Sequence, residues 1–261
     1  MKYLFSETGM KVLESLTFTK TLYAFDFDGT LAPIVGTPGE AKTSKDMGKI
    51  LHDLSSLVPV AVVSGRSIID LRSRLGFEAN HLIGNHGLEG LSSTKESSDR
   101  AHKICASWKL QLQNKWGKLK NDSGIFIEDK LFSLALHYRK SRNKKNARHE
   151  LFLRIETLNP PPRIILGKSV MNLVPAGAPH KGVALLELMM QCELKTALYI
   201  GDDDTDEDVF SLPDAGIITI RVGHKKSSQA QFFVKRQTEV KRIVRELMTR
   251  LQKNNAKGAL R

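Results

Sequence analysis

The sequence predicts an α/β protein with a Rossmann-like, doubly wound parallel sheet and an inserted α+β module. Three observations carry this prediction. Short apolar runs alternate with segments of helical periodicity, which is the pattern of βαβ units. Each of these apolar runs ends in a cluster of polar residues. The pattern changes over residues 90–174, where helices alternate with hairpins, and it resumes afterwards.

The first predicted strand is the apolar run Leu22 to Phe25, which suits a strand buried on both faces of a parallel sheet. Asp26 and Asp28 follow it, and in an extended chain this spacing places both carboxylates on one side. Buried carboxylates are costly unless they are paired or bind a metal. We interpret the pair as a Mg²⁺ site with one carboxylate free to attack an electrophile. A strand that simply ends in an Asp-Gly turn is the alternative.

Val58 to Val63 is a second predicted buried strand, and it ends in Ser64-Gly65-Arg66 ahead of a helix over Ile68 to Leu75. A hydroxyl, a glycine and the free N–H groups of a helix start suit a phosphate oxygen. An ordinary helix N-cap by Ser64 or Ser67 is the alternative. The third strand is Leu82 to Gly84.

The remaining elements are assigned from the same periodicities. Before the second strand, Lys45 to Leu57 has helical spacing, and residues 1–20 read as a helical lead-in. The middle module contains helices over Ala101–Leu119 and Lys145–Leu158, and strands over Ile125–Glu128, Leu131–Tyr138, Arg163–Leu166 and Ser169–Val174. After it come a helix from Lys181, strands over Ala197–Ile200 and Ile217–Val222, and a closing helix over Val240–Leu251.

A second acidic cluster follows the strand at Ala197–Ile200. Six of the seven residues from Asp202 to Asp208 are acids, which repel one another unless a cation or hydrogen bonds compensate. If this strand neighbours the first one, Asp26, Asp28 and Asp202 converge on one cation. The spacing does not fit an EF-hand, and a solvated helix N-terminus is the alternative.

The formal net charge of the 261-residue chain is +12, with basic residues concentrated at Arg139 to Arg148 and near the C-terminus. Nucleic-acid or membrane binding, attraction of an anionic substrate, and solvated helix faces are the three interpretations. Because the basic runs contain no interleaved aromatics, we expect no nucleic-acid partner. Two cysteines without metal-ligand spacing, no signal peptide and no apolar run of membrane length predict a cytoplasmic protein that does not bind a membrane.

Four motifs occur in the order that is typical of haloacid dehalogenase-like (HAD) phosphatases. They are Asp26-Phe27-Asp28-Gly29-Thr30, Ser64-Gly65-Arg66, Lys181 and Gly201-Asp202-Asp203. The chain therefore resembles that superfamily, and the insertion resembles its C2-type cap. This resemblance implies a catalytic core at 1–89 and 175–261 and a substrate-specificity cap at 90–174. More narrowly, the motifs that resemble trehalose-6-phosphate phosphatases are Gly84 to Glu89, Glu128 to Lys130, His137 to Arg139, Lys181-Gly182 and Gly201 to Asp208.

The resemblance implies a role for each core residue. Asp26 would be the nucleophile, and Asp28 the general acid and base. Mg²⁺ would be held by Asp26, Asp28 through its carbonyl, and Asp202. The remaining core roles are phosphate binding by Ser64, Gly65 and Lys181, and help from Asp203 or Asp206, as a ligand or by orienting metal waters or Lys181.

Sugar recognition would come from the cap and its junction with the core. The candidate residues are His86, Glu89, Glu128, Lys130, Arg139 and Asn172. An exposed ion pair in a turn is the alternative for Glu128 and Lys130. In the trehalose-phosphate family a glutamate commonly stands where this chain has Asn172, three positions before Pro175. An amide brings no charge, so the preferred sugar is less certain than the catalysis.

The resemblance implies a sugar-phosphate substrate, Mg²⁺ as cofactor and a monomer that associates with trehalose-6-phosphate synthase. Three alternatives remain open. The substrate could be a sucrose-type or mannosyl-type phosphate. The chain could be a basic nucleic-acid-binding protein on a phosphatase fold, or a regulatory subunit of the synthase.

Overall fold

A computed structural model describes residues 1–91, 95–115, 124–167, 169–212 and 216–258. The chain divides into two compact units, one formed by Met1–Leu91 with His180–Arg261 and the other by Ser92–Pro179. These junctions lie slightly later in the chain than the boundaries expected from sequence, after residues 89 and 174. The catalytic and cap roles of the two units stay proposals.

Strands and helices are numbered here in chain order. The strands are β1 (Lys2–Tyr3), β2 (Thr21–Phe25), β3 (Val60–Val63), β4 (His81–Ile83), β5 (Phe126–Asp129), β6 (Leu134–His137), β7 (Pro162–Gly167), β8 (Val170–Pro175), β9 (Thr196–Gly201), β10 (Ile217–Val222) and β11 (Phe232–Val234). The helices are α1 (Glu7–Leu16), α2 (Lys45–Ser55), α3 (Ile68–Leu75), α4 (Lys95–Lys115), α5 (Lys144–Ile155), α6 (Lys181–Gln191), α7 (Glu207–Phe210) and α8 (Thr238–Gly258). None of the helices in the described ranges is both long and apolar enough to cross a bilayer.

The first unit contains a seven-stranded parallel sheet in the order β1-β11-β10-β9-β2-β3-β4. Side chains alternate along the interior strand β2: Tyr23 and Phe25 join one core, with α1, α2, α3 and α8, while Leu22 and Ala24 join the other, with α6 and α7. Burial on both faces explains why this strand is apolar from Leu22 to Phe25. The carboxyl ends of β2 and β9 lie side by side, as the convergence of the two acidic clusters requires.

Helix termini in this unit follow local capping chemistry. Ser44 and Ser67 are the N-caps of α2 and α3 and accept hydrogen bonds from the N–H groups of Met47 and Asp70. Gly76 ends α3 in the left-handed conformation, with φ 67°. The alternative role proposed for Ser67 is therefore the one it has.

Sequence periodicity did not detect the outer strands β1 and β11, which are only two and three residues long. The segment 1–20, expected as a helical lead-in, contains β1 as well as α1. The parallel pairing of both strands at one edge of the sheet depends on tertiary contacts that are not encoded by a local pattern.

The second unit contains a four-stranded antiparallel sheet in the order β5-β6-β8-β7. Helices α4 and α5 cover one face, where Trp108 and Leu151 pack with Leu136 and Met171. The predicted first helix of this module reached Leu119, and residues 116–119 lie outside the described part of the chain. On the opposite face, register places Glu128, Ala135, Asn172 and Ile165 in one row across the four strands.

The loop between β5 and β6 is longer than the two residues, Asp129 and Lys130, that separate the predicted strands. Leu131 adopts a positive φ of 68°, and the N–H of Lys130 donates to the carbonyl of Ser133 at 3.0 Å. The Asp129 carboxylate accepts a hydrogen bond from the Leu131 N–H at 2.9 Å. These bonds make a longer loop, so β6 begins at Leu134 rather than at Leu131.

Candidate active site

A buried network of four side chains lies at the carboxyl ends of β2 and β9. Asp26 directly follows β2, and its Oδ1 accepts a hydrogen bond from Nζ of Lys181 at 2.7 Å. The same ammonium group donates to Oδ1 of Asp206 at 2.7 Å, and the Tyr199 hydroxyl donates to that oxygen at 2.7 Å. All four side chains are almost completely removed from solvent. A buried ion pair of this kind is stable only when its remaining polar atoms are also bonded.

The electrostatics of this network favour an additional cation. Burial raises the pKa of Asp26 well above its ordinary value, and the charges of Asp206 and Asp202 raise it further against the opposing effect of Lys181. Burial and the neighbouring charges of Asp206 and Asp203 raise the pKa of Asp202 to about 7. Burial alone would lower the pKa of Lys181, but Asp206 and Asp26 raise it. One ammonium group therefore faces more negative charge than it can neutralise.

Carboxylate oxygens of Asp26, Asp202 and Asp206 lie within 4.8 Å of one another, and this hard-oxygen set fits Mg²⁺. The oxygens of Asp206 are already engaged, because Oδ1 accepts from Lys181 and Tyr199 and Oδ2 accepts from the N–H of Asp203 at 2.8 Å. These bonds make Asp26 and Asp202 the better candidate ligands, whereas Asp206 is hydrogen-bonded to Lys181.

Gly29 allows Asp202 to approach the turn after β2. A Cβ at this position would lie 2.0 Å from Oδ2 of Asp202. The backbone φ is +78°, which residues other than glycine rarely adopt. A glycine is required on both counts. This contact explains why the Asp-Gly dipeptide stands at the end of the strand.

The Asp28 carboxylate is placed differently from that of Asp26. Its two oxygens accept a pair of hydrogen bonds from Arg66, at 2.6 Å from Nε and 2.7 Å from Nη2. The Asp28 side chain is 44% exposed, against 5% for Asp26. Asp28 thus faces solvent beside the buried network, where it could exchange protons with a bound substrate. The sequence had placed Arg66 in the phosphate-loop motif without assigning it this partner.

Ser64 and Gly65 lie in the turn after β3, and a second loop that contains Asn85 and His86 packs against this turn. The main-chain N–H of His86 donates to the carbonyl of Ser64 at 3.0 Å. A Cβ at Gly65 would lie 2.4 Å from the His86 ring, so the ring packs directly on this glycine. His86 and its neighbour Asn85 both have positive φ, at 58° and 47°. Such backbone strain is concentrated at functional sites, and it places His86 at the phosphate-loop candidate.

Glu89 has a structural partner within the same unit. Its Oε2 accepts a hydrogen bond from the N–H of Ile68 at 2.7 Å, which is the first residue of α3. A carboxylate at a helix N-terminus satisfies a free donor and interacts favourably with the helix dipole. This contact is a structural alternative to the sugar-binding role expected for Glu89.

The other sugar-binding candidates belong to the second unit. Oε2 of Glu128 lies 2.8 Å from Nε2 of His137, and Glu128 shares its face of the sheet with Asn172. Lys130 lies in the loop after β5, and Arg139 lies two residues beyond β6. All four are partly exposed.

The second acidic cluster is held in place by Asp203 and by two residues that the sequence did not indicate, Arg221 and Tyr199. The Asp203 carboxylate is exposed and caps the 3-10 turn at Asp204–Asp206 by accepting from the N–H of Asp204 at 2.5 Å. Arg221, buried at the end of β10, donates at 3.0 Å both to the carbonyl of Asp203 and to Glu207. Arg221 and Tyr199 lie inside apolar strands, where no local motif marks them.

Comparison with known proteins identifies relatives of this chain. The trehalose-phosphatase family model matches residues 24–238. The chain is 29% identical over 223 residues to the trehalose-phosphate phosphatase of Mycobacterium ulcerans (strain Agy99), which covers 82% of this chain and 56% of that protein. It is 30% identical over 202 residues to the Mycobacterium avium (strain 104) protein, covering 74% and 51%. The chain thus spans about half the length of these curated relatives.

Solved structures with the same fold include a trehalose-6-phosphate phosphatase related protein. Its TM-score is 0.73, with 23% identity, 88% of this chain covered and 97% of that chain. The C-terminal domain of Candida albicans trehalose-6-phosphate phosphatase has a TM-score of 0.69, with 21% identity and coverages of 92% and 96%. These likenesses confirm the predicted fold class. Because the family match extends over most of the chain, from β2 to the start of α8, the chain belongs to the trehalose-phosphatase family.

Proposed function

We propose that this chain is a Mg²⁺-dependent phosphatase that hydrolyses trehalose 6-phosphate to trehalose and phosphate. The single observation that carries the proposal is the buried Asp26–Lys181–Asp206 network. In it, Asp206 fixes the ammonium group of Lys181 beside the carboxylate of Asp26. The family match supplies the substrate class.

The reaction would proceed in two displacements. The carboxylate of Asp26 attacks phosphorus and forms an aspartyl phosphate, while the bond to the sugar oxygen breaks and Asp28 gives that oxygen a proton. Asp28 then takes a proton from the water that attacks the aspartyl phosphate, and phosphate is released. Lys181 offsets the negative charge that develops on the phosphoryl oxygens.

Mg²⁺, held by Asp26, Asp202 and the main-chain carbonyl of Asp28, would offset the repulsion between the carboxylates and the phosphate. Ser64 and the N–H groups beside Gly65 would bind phosphate oxygens. His86, which packs on Gly65, would add to this loop rather than to a sugar subsite.

In this scheme the core residues would bind the phosphate group, so the second unit would select the sugar. Glu128 and Asn172 share one face of its sheet, and Lys130 and Arg139 flank the strands that carry Glu128 and His137. These groups offer carboxylate, amide and cationic partners for hydroxyls. A monomeric state, association with a synthase and a cytoplasmic location stay predictions.

The test is phosphate release from trehalose 6-phosphate with and without Mg²⁺, beside glucose, sucrose and mannosyl phosphates. Asp26→Asn removes the nucleophile, and Asp53→Asn changes an exposed aspartate of α2 as the matched control. We expect selective, metal-dependent release that only Asp26→Asn abolishes. Release from other esters alone would reject the substrate and keep the chemistry. No release by the folded wild type would favour a binding or regulatory role.

A further inference from the structure

A chain of ion pairs connects Asp28 to α3 and to the loop before α2. Besides its two bonds to Asp28, Arg66 donates from Nη1 to Oδ2 of Asp70 at 2.7 Å. The other oxygen of Asp70 accepts from Nε of Arg74 at 2.8 Å. Arg74 also donates to the carbonyl groups of Gly39 and Ala41. The connection therefore runs from a main-chain anchor, through two arginines and one aspartate, to the carboxylate of Asp28.

Geometry and burial hold this series of ion pairs in one arrangement. Arg66 and Arg74 are largely buried, with side-chain exposures of 12% and 13%, so solvent screens their ion pairs only in part. The guanidinium carbon of Arg66 lies 5.4 Å from the centre of the Phe27 ring. Three directed N–H bonds and this ring contact fix a planar group, which a lysine could not reproduce.

Asp70 is the centre of the chain, because it binds both arginines. Burial alone would raise its pKa, but hydrogen bonds from Arg74 and Arg66 lower it below the ordinary value. Asp70 and Arg74 are four residues apart on one face of α3, and Ser67 and Glu89 bond the first N–H groups of that helix. A rigid helix therefore determines where the Arg66 guanidinium lies.

We propose that Asp70 and Arg74 are positioning residues for the general acid of this enzyme. They hold Arg66, and Arg66 holds the Asp28 carboxylate at the point from which it protonates the departing sugar oxygen. The inference rests on the proposed phosphatase function. Neither residue contacts the substrate in this scheme, so their effect reaches the reaction only through Asp28.

Dependence on the leaving group separates this role from simple stabilisation. An alkoxide is a poor leaving group and needs the proton from Asp28 as its bond to phosphorus breaks, whereas p-nitrophenolate leaves readily without it. Since kcat/KM reports the steps up to cleavage of the ester, misplacing the acid lowers this ratio for alkyl phosphates and spares it for aryl phosphates.

The experiment compares kcat/KM for trehalose 6-phosphate, glucose 6-phosphate and p-nitrophenyl phosphate in the Mg²⁺-loaded enzyme. Asp70→Asn breaks the centre of the chain, and Arg74→Gln breaks its anchor without touching the Arg66–Asp28 pair. Asp46→Asn is the control, because it removes another first-turn aspartate that is paired to a basic side chain, Lys241. Urea unfolding of every variant measures folding separately.

We expect Asp70→Asn to lower kcat/KM for the best alkyl phosphate by about tenfold or more, and for p-nitrophenyl phosphate by less than about threefold. Arg74→Gln should show the same selectivity with a smaller loss, and Asp46→Asn none. Equal losses on both ester types, or no loss on alkyl esters, would overturn the positioning role alone. Wild-type activity that is confined to alkyl phosphates other than trehalose 6-phosphate would overturn only the substrate. A wild type inactive on every ester would overturn both.

Discussion

Replacing Asp202 with asparagine should stabilise the metal-free protein and abolish its response to Mg²⁺. Asp202 lies among Asp26, Asp203 and Asp206, and its carboxylate makes no hydrogen bond with the residues that the structure describes. A charge in this position is repelled and partly desolvated until a cation arrives. An amide of the same size removes the repulsion and also removes the ligand.

The magnitude follows from the pKa of Asp202, which burial and nearby carboxylates raise from 3.8 to about 7. An acid whose pKa is higher in the folded state destabilises that state while it is charged, by up to about 4 kcal/mol for this difference. Because Asp202 is partly exposed, solvent screening reduces the gain, so we expect Asp202→Asn to raise the free energy of unfolding by about 1–3 kcal/mol at pH 8. The advantage should shrink as pH falls through 7, because wild-type Asp202 then becomes protonated in the folded state.

Urea unfolding at pH 8 and pH 6, with and without Mg²⁺, provides the assay. Wild-type protein should gain about 2.7 kcal/mol at a Mg²⁺ concentration of about 100 times Kd, and Asp202→Asn should gain nothing. Asp206→Asn is the matched control: its carboxylate is fully hydrogen-bonded, so this variant should lose about 1–3 kcal/mol without metal and retain a Mg²⁺ response. The reasoning is refuted if Asp202→Asn is less stable than wild type in metal-free buffer, or if Mg²⁺ still stabilises it.

Three further substitutions test other contacts. Tyr199→Phe removes one donor from Asp206 and should lower the free energy of unfolding by about 1–3 kcal/mol in urea, with no change expected if the 2.7 Å bond is unimportant. Gly29→Ala places a methyl group against Asp202 at a positive φ, so calorimetry should show Mg²⁺ affinity reduced by about tenfold or more; an unchanged Kd would contradict the close approach. Asn172→Glu adds a carboxylate to the face that carries Glu128 and should raise kcat/KM for trehalose 6-phosphate relative to glucose 6-phosphate; equal changes for both sugars would reject a sugar contact there.

The sequence predicted the parts of the fold that have a strong local signal. The strand before Asp26 contains the predicted apolar run Leu22–Phe25, and Ile68–Leu75 was predicted with the bounds that the structure has. Both elements combine a clear periodicity or run with a polar residue that ends or caps it. Strands β1 and β11 have too few residues for such a signal and form only by pairing with distant segments.

The candidate site was predictable where its functional side chains belong to short local motifs. The acids at Asp26 and Asp202 could be brought together by assuming neighbouring strands, and the register of β2 with β9 does so. Arg221 and Tyr199 could not be found in this way, because each lies in a largely apolar strand and its partner lies on another segment. Only the fold shows that their side chains support the acidic loop.

The sequence also cannot assign different roles to the six similar acidic side chains of the second cluster. Their hydrogen bonds in the structure distinguish them. Asp206 has all its strong acceptor positions taken by an ammonium, a phenol and a main-chain N–H, so binding a cation would require breaking bonds in a buried network. Asp203 is engaged as a cap. Asp202 is close to other charges and has no such bonds within the described residues, so a cation is the partner that removes its electrostatic cost. Ligand and support thus differ in their hydrogen bonding, although their residue type is the same.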